Sequence, residues 1–242
     1  MSGPAARNDA FKTIAGVTPC PGGWLVLPAR LAGVTVAAEE AFVLKRLMEV
    51  LDYRPKFEFA AVNIPFGYPE TPGGPFRRCD DEARELVQWP RRIAVRPVPS
   101  RASLFAKTRQ AALEIDPWLT KNDFRRFRWM REAAIEIQPF HARSFCSANA
   151  DLSFVHMNGD EPLGTWPHHE DGMLQRLELI RSKLPGVDDV VSRLPPVGAG
   201  VAHMYEAAAM LWTARRASGR AISRVPLDPE WDDGGIRIEL VR

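Results

Sequence analysis

A chain of 242 residues with 45% apolar content is long enough to bury a substantial core, and a single domain is expected. Its 32 basic and 30 acidic side chains leave a formal charge of +2, which excludes a global field drawing it to nucleic acid or an anionic membrane. Three cysteines, Cys20, Cys79 and Cys146, stand far apart without CxxC spacing, which argues against a disulfide framework or a zinc site and points to a reducing cytoplasm.

The N-terminal "MSGPAARNDA" is polar and small, and residues 1–10 are predicted to form a disordered tail ahead of a single domain over residues 11–242. No stretch approaches the roughly 18 continuous apolar residues of a membrane span. Residues 11–18, "GGWLVLPARL" and "GVTVAA" are three strand candidates joined by proline and glycine turns, an antiparallel meander. "EEAFVLKRLMEVLDY" spaces Phe42, Leu44, Leu47, Met48 and Leu51 helically, with Pro55 just beyond, so a helix is predicted over 39–53. "KFEFAAVNIPFG" is apolar at nearly every position from Ala60 to Ile64, as a strand buried on both faces must be.

Residues 65–106 are rich in proline, glycine and arginine and read as a long loop insertion over one end of the sheet, with a short helix at "CDDEARELVQW". Helical patterns resume at "DPWLTKNDFRRFRWMREAAIEIQP", "HHEDGMLQRLELIRSKL" and "GVAHMYEAAAMLWTARRASG", where Gly200 and Gly219 bracket strong helix formers. "GGIRIEL" is a terminal strand. The order predicts an α/β fold with a mixed central sheet, a meander of three strands plus parallel strands, flanked by helices. It is the opening of a ribonuclease H-like fold, and other α/β folds share it.

"FRRFRWMR", residues 124–131, interleaves rings and guanidinium groups as single-strand binders do. The same spacing arises on an amphipathic helix that buries Phe124, Phe127 and Met130 and turns Arg125, Arg128 and Arg131 to water. His168 and His169 are adjacent, and neighbours on a helix do not face one another, so they make a poor metal clip. His203 and Glu206 are three apart on the last long helix and share a face, which makes them the leading acid/base candidates beside a core role for the histidine. Arg78, Asp80 and Arg84 stand at a helix start, where arginine forks and the helix N-terminus suit an anion; an internal ion-pair network is the competing reading.

The stretches "GVTPCPGGW", "VNIPFGYP", "RRCDDEAR", "SRASLF", "NADLSFVHMNG" and "EAAAMLWTAR" follow one another in an order that resembles the domain of unknown function 429 family, described as predicted ribonuclease H-like nucleases. The resemblance runs from about Thr13 to Gly219. It implies carboxylates at positions that fall here on Thr18, Asn63, Ser147 with Asp151, and Glu206. Two or three of those carboxylates are absent.

A two-metal hydrolytic site needs formal negative charge, which threonine and asparagine oxygens supply poorly. The resemblance leaves Asp151 and Glu206 as the candidate ligands of one magnesium or manganese ion, with Asp80, Asp81 or Asp160 as possible loop donors. Thr18 and Asn63 read either as ligand-binding groups or as local hydrogen-bonding residues at strand ends. Three functions follow as expectations. The first is a noncatalytic or weakly active ribonuclease H-like protein with a depleted metal site that binds nucleic acid, a nucleotide or a partner. The second is a metal-dependent nuclease or phosphoesterase using Asp151 and Glu206, and the third an enzyme acting on a small anionic substrate in the same crevice.

Overall fold

In the computed structural model the described residues are 11–242, so the tail assigned to residues 1–10 lies outside them. The meander forms as its turn chemistry dictates. β1 (Lys12–Cys20), β2 (Gly23–Ala32) and β3 (Thr35–Ala38) pair antiparallel, with Thr18 opposite Leu25. Along these strands the side chains alternate between two cores. Ile14, Leu25 and Leu27 enter one, and Ala15, Val17, Trp24 and Val26 enter the other.

The helix expected over 39–53 is corrected. β4 (Phe42–Leu44) takes up its first part and α1 (Leu47–Leu51) its second. β3 covers β2 only from Ala29 to Ala32, which leaves the edge of Trp24–Val26 open, and Phe42, Val43 and Leu44 pair with it. Ladder hydrogen bonds and a shared apolar face override helical periodicity there. The helix starts only after Glu49 has accepted the backbone N–H groups of Lys45 and Arg46, at 2.8 and 3.3 Å.

β5 (Phe59–Val62) runs parallel to β1, and β6 (Phe145–Ser147) runs parallel to β5, giving the strand order β3-β2-β1-β5-β6. The protein is therefore α/β with a mixed sheet flanked by helices. Residues 65–106 carry α2 (Arg78–Val87), a 3₁₀ turn at Arg91–Ala94 and α3 (Arg101–Leu104). α4 (Arg109–Ile115) then leads into α5 (Lys121–Glu136). α6 (Ala150–Met157), α7 (Glu170–Lys183) and α8 (Val187–Val191) precede α9 (Val201–Ser218), which spans the residues between Gly200 and Gly219. A hairpin of β7 (Arg224–Trp231) and β8 (Arg237–Val241) closes the chain, and Val241 bridges to Ala148 beside the main sheet. No described helix is long and apolar enough to cross a membrane.

Two helices set the site. α9 packs its alanine-rich face on β1, where a Cβ at Gly16 would lie 1.9 Å from the Ala207 carbonyl oxygen and 2.3 Å from the Leu211 nitrogen. Only glycine allows that approach, and it carries Glu206 to the end of β1. α5 packs on the opposite face through Phe127, Met130 and Ala133. There Glu132 accepts from Trp24 Nε1 and from the Leu47 backbone nitrogen, both at 2.8 Å, which locks α5 to β2 and α1. Of the arginines expected to face water, Arg125 and Arg128 are exposed and Arg131 is half-buried. Arg128 donates to the Cys20 and Pro21 carbonyls, and Arg131 to the Leu104 carbonyl.

Candidate functional site

A cavity of about 440 Å³ opens at the carboxyl ends of β1 and β5, where it is lined by Pro19 near the end of β1 and by Asn63 just after β5. Open α/β sheets place ligands at such an edge. Larger depressions near the far end of α9 run past Trp212, Arg215 and Arg216, and no carboxylate lines them.

At the cavity's inner wall, Thr18 Oγ1 donates to Glu206 Oε2 at 2.8 Å. Asn63 Nδ2 donates to Thr18 Oγ1 at 3.1 Å and to Glu206 Oε2 at 3.3 Å, while Asn63 Oδ1 accepts from the Ala150 backbone nitrogen at 3.3 Å. One network therefore ties β1, β5, α6 and α9. Burial raises Glu206 to a pKa of about 7, assisted by the Asp151 charge and opposed by the two donated hydrogen bonds. Thr18 is fully buried and reaches the cavity only through its neighbours. His203 lines the cavity, its Nδ1 accepts from the Gly200 backbone nitrogen at 3.0 Å, and burial lowers its pKa. That acceptor role leaves the proton of the neutral ring on Nε2.

Asp151 stands in the first turn of α6 and is held by two guanidinium groups. Arg91 engages it bidentately at 2.9 and 2.8 Å, and Arg176 approaches at 3.1 Å. Both arginine side chains are almost completely buried. Arg96 and Arg126 line the same cavity, so four guanidinium groups face two carboxylates, and one of those carboxylates titrates near pH 7.

This electrostatic setting decides how a metal would fare. Among the described residues no group of three or more His, Cys, Asp or Glu side chains gathers to hold an ion. Asp160 pairs instead with His156 and Arg242. A magnesium or manganese ion at Asp151 and Glu206 would have to displace charge-assisted hydrogen bonds and sit among cations. The donor set does not fit such an ion.

The structure thus brings together Asn63, Asp151, His203 and Glu206, with Thr18 directly behind them. The other residues of the expected site lie elsewhere. Asp80 is buried against Arg77 in a bidentate pair at 2.7 and 2.8 Å, and Arg77 also donates to the Phe66 and Gly67 carbonyls at 2.9 Å. Arg78 is exposed and binds Glu82 and Asp228, while Arg84 donates to the Arg92 and Val95 carbonyls. The anion-binding reading of Arg78, Asp80 and Arg84 is corrected to an internal network that pins the 65–106 insertion. Ser147 accepts from the Phe66 backbone nitrogen and donates to the Ile64 carbonyl at 2.8 Å, a role in shaping the loop.

The cavity's own arginines were not singled out by the sequence reading. Arg91 and Arg96 lie in the same arginine-rich insertion as Arg78 and Arg84. Arg126 sits within "FRRFRWMR" three residues before Trp129, and that helical spacing places both on the cavity side of α5.

A family model described as "Protein of unknown function (DUF429)" matches residues 16–230. No curated protein and no solved structure matches the chain. With most of its length covered, including every strand and helix that builds the cavity, the chain belongs to the DUF429 family of proteins of unknown function.

Proposed function

We propose that this chain is a ribonuclease H-like protein with a depleted metal site, which binds phosphate-bearing ligands, a nucleotide or nucleic acid, in the arginine-lined cavity. The strand order β3-β2-β1-β5-β6 supports the ribonuclease H-like reading, since a meander is followed by strands parallel to β1. The observation that carries the binding reading is the excess of guanidinium groups over carboxylates around one cavity. Cys20, Cys79 and Cys146 are free thiols, which supports a reducing, cytoplasmic setting.

The test is binding at low salt, where phosphate contacts are strongest. Titration calorimetry with a mononucleotide and with a short single strand is expected to show binding that weakens as salt rises. Salt-independent binding, or none, overturns the proposal.

A second reading, an enzyme acting on a small anionic substrate, is favoured by Glu206. A carboxyl group with a pKa of about 7, facing a cavity beside a neutral histidine, is suited to general acid/base work. Turnover that disappears in Glu206→Gln while binding persists would select it.

A further inference from the structure

Arg126 differs from the other guanidinium groups of the cavity. Asp151 pairs with both Arg91 and Arg176, whereas Arg126 makes no ion pair among the described residues, and its Nη1 is buried without a hydrogen-bond partner. The nearby carboxylates are already engaged. Asp123 accepts from the Thr120 backbone and hydroxyl at 2.8 and 2.6 Å, and Asp80 is held by Arg77. A buried cationic donor left in this state costs free energy unless a ligand completes it.

Arg96 stands beside it, exposed and also without an ion pair among the described residues. Burial pushes the Arg126 pKa down, and the Arg96 charge adds to that effect. Two guanidinium groups that make no ion pair among the described residues suit a dianion. A recess of about 20 Å³ beside the cavity, lined by Arg96, Arg126, Asn63 and Asn149 and also by Arg77 and Asp80, has room for about one water molecule and is too small for a phosphate group, which is placed in the main cavity.

We infer that Arg96 and Arg126 hold the terminal phosphate of a phosphomonoester, with the rest of the molecule in the main cavity against the indole of Trp129. This rests on the proposed phosphate-binding reading and narrows it. An internal phosphodiester carries one charge, whereas a terminal phosphate carries up to two, which matches two guanidinium groups that have no ion pair among the described residues.

The test is titration calorimetry at low salt with adenosine 5′-monophosphate, adenosine, an unphosphorylated dinucleotide, and one short single strand with and without a 5′-phosphate. The phosphorylated probes are expected to bind about tenfold or more tightly than their unphosphorylated counterparts, the scale of one charge-assisted hydrogen bond. Tighter binding of the mononucleotide assigns a free small molecule, and equal binding of the phosphorylated strand assigns a strand end. Arg96→Ala, at an exposed position that does not threaten folding, is expected to abolish the preference, and Arg126→Lys to reduce it. Equal affinity with and without the terminal phosphate overturns the inference and leaves the phosphate-binding reading intact. If no probe binds, the phosphate-binding reading itself is overturned.

Discussion

Thr18 at the end of β1 donates a 2.8 Å hydrogen bond to Glu206 of α9, 188 positions later in the chain. A hydroxyl thus stands where the family resemblance implies a carboxylate, and the outcome is reversed in sign. Two carboxylates would repel and gather a cation; a hydroxyl and a carboxyl form a neutral or singly charged pair that needs none. Thr18→Val removes the donor at nearly constant volume. We expect a loss of about 1 kcal/mol at pH 8 in urea unfolding, and a further rise of the Glu206 pKa in a carbon-detected NMR titration.

Glu206 makes stability depend on pH in a stated direction. Its folded pKa of about 7 lies above the ordinary carboxylate value of 4.5, so between these values the folded state binds more protons than the unfolded one. Its contribution is fully present below pH 4.5 and is lost as pH rises through 7, up to about 3 kcal/mol in all. Glu206→Gln stays neutral throughout. Unfolding curves from pH 5 to 8 are expected to show wild type losing stability relative to the variant, and parallel curves would show that Glu206 is not shifted.

Asp151 tests the metal question. As the counter-ion of Arg91 and Arg176 it supports stability without any cation, so Asp151→Asn is expected to cost about 3 kcal/mol in metal-free buffer. Millimolar magnesium or manganese is expected to leave the wild-type melting temperature unchanged, because a ligand of the folded state would raise it. A rise that Asp151→Asn abolishes would restore the metal reading.

Arg78 supplies a control for where the anion binds. Its guanidinium group is exposed and engaged with Glu82 and Asp228, outside the cavity lining. Arg78→Ala is expected to leave the melting temperature close to that of wild type and nucleotide affinity unaltered in the same calorimetric assay.

Gly16 governs whether the site assembles. A methyl group there meets the α9 backbone at 1.9 Å. Gly16→Ala must push α9 off β1, and a cost of about 3 kcal/mol or more is expected from thermal or urea unfolding. Separation of Glu206 from Thr18 is the accompanying effect, visible as a shift of the Glu206 carboxyl resonance.

What the sequence determined by itself is local. Proline and glycine at 19–23 and Gly33 set the turns of the meander, alternating apolar residues define its strands, and Gly200 and Gly219 mark the limits of α9, because turn dihedrals and caps depend on a few adjacent residues. Asn63, Asp151 and Glu206 came from the order of short stretches that resembles the family, and His203 from its spacing of three from Glu206 on one helix. The tertiary structure alone decided that Phe42–Leu44 is a strand, since the choice depended on an open edge of β2 rather than on the segment's own periodicity. It also decided which arginines face a ligand. Arg78 finds a counter-charge 150 positions away at Asp228, and Arg91 finds one 60 positions away at Asp151. Arg126 finds none among the described residues. The function of a guanidinium group is set by whether folding brings a carboxylate to it, and its neighbours in the chain do not carry that information.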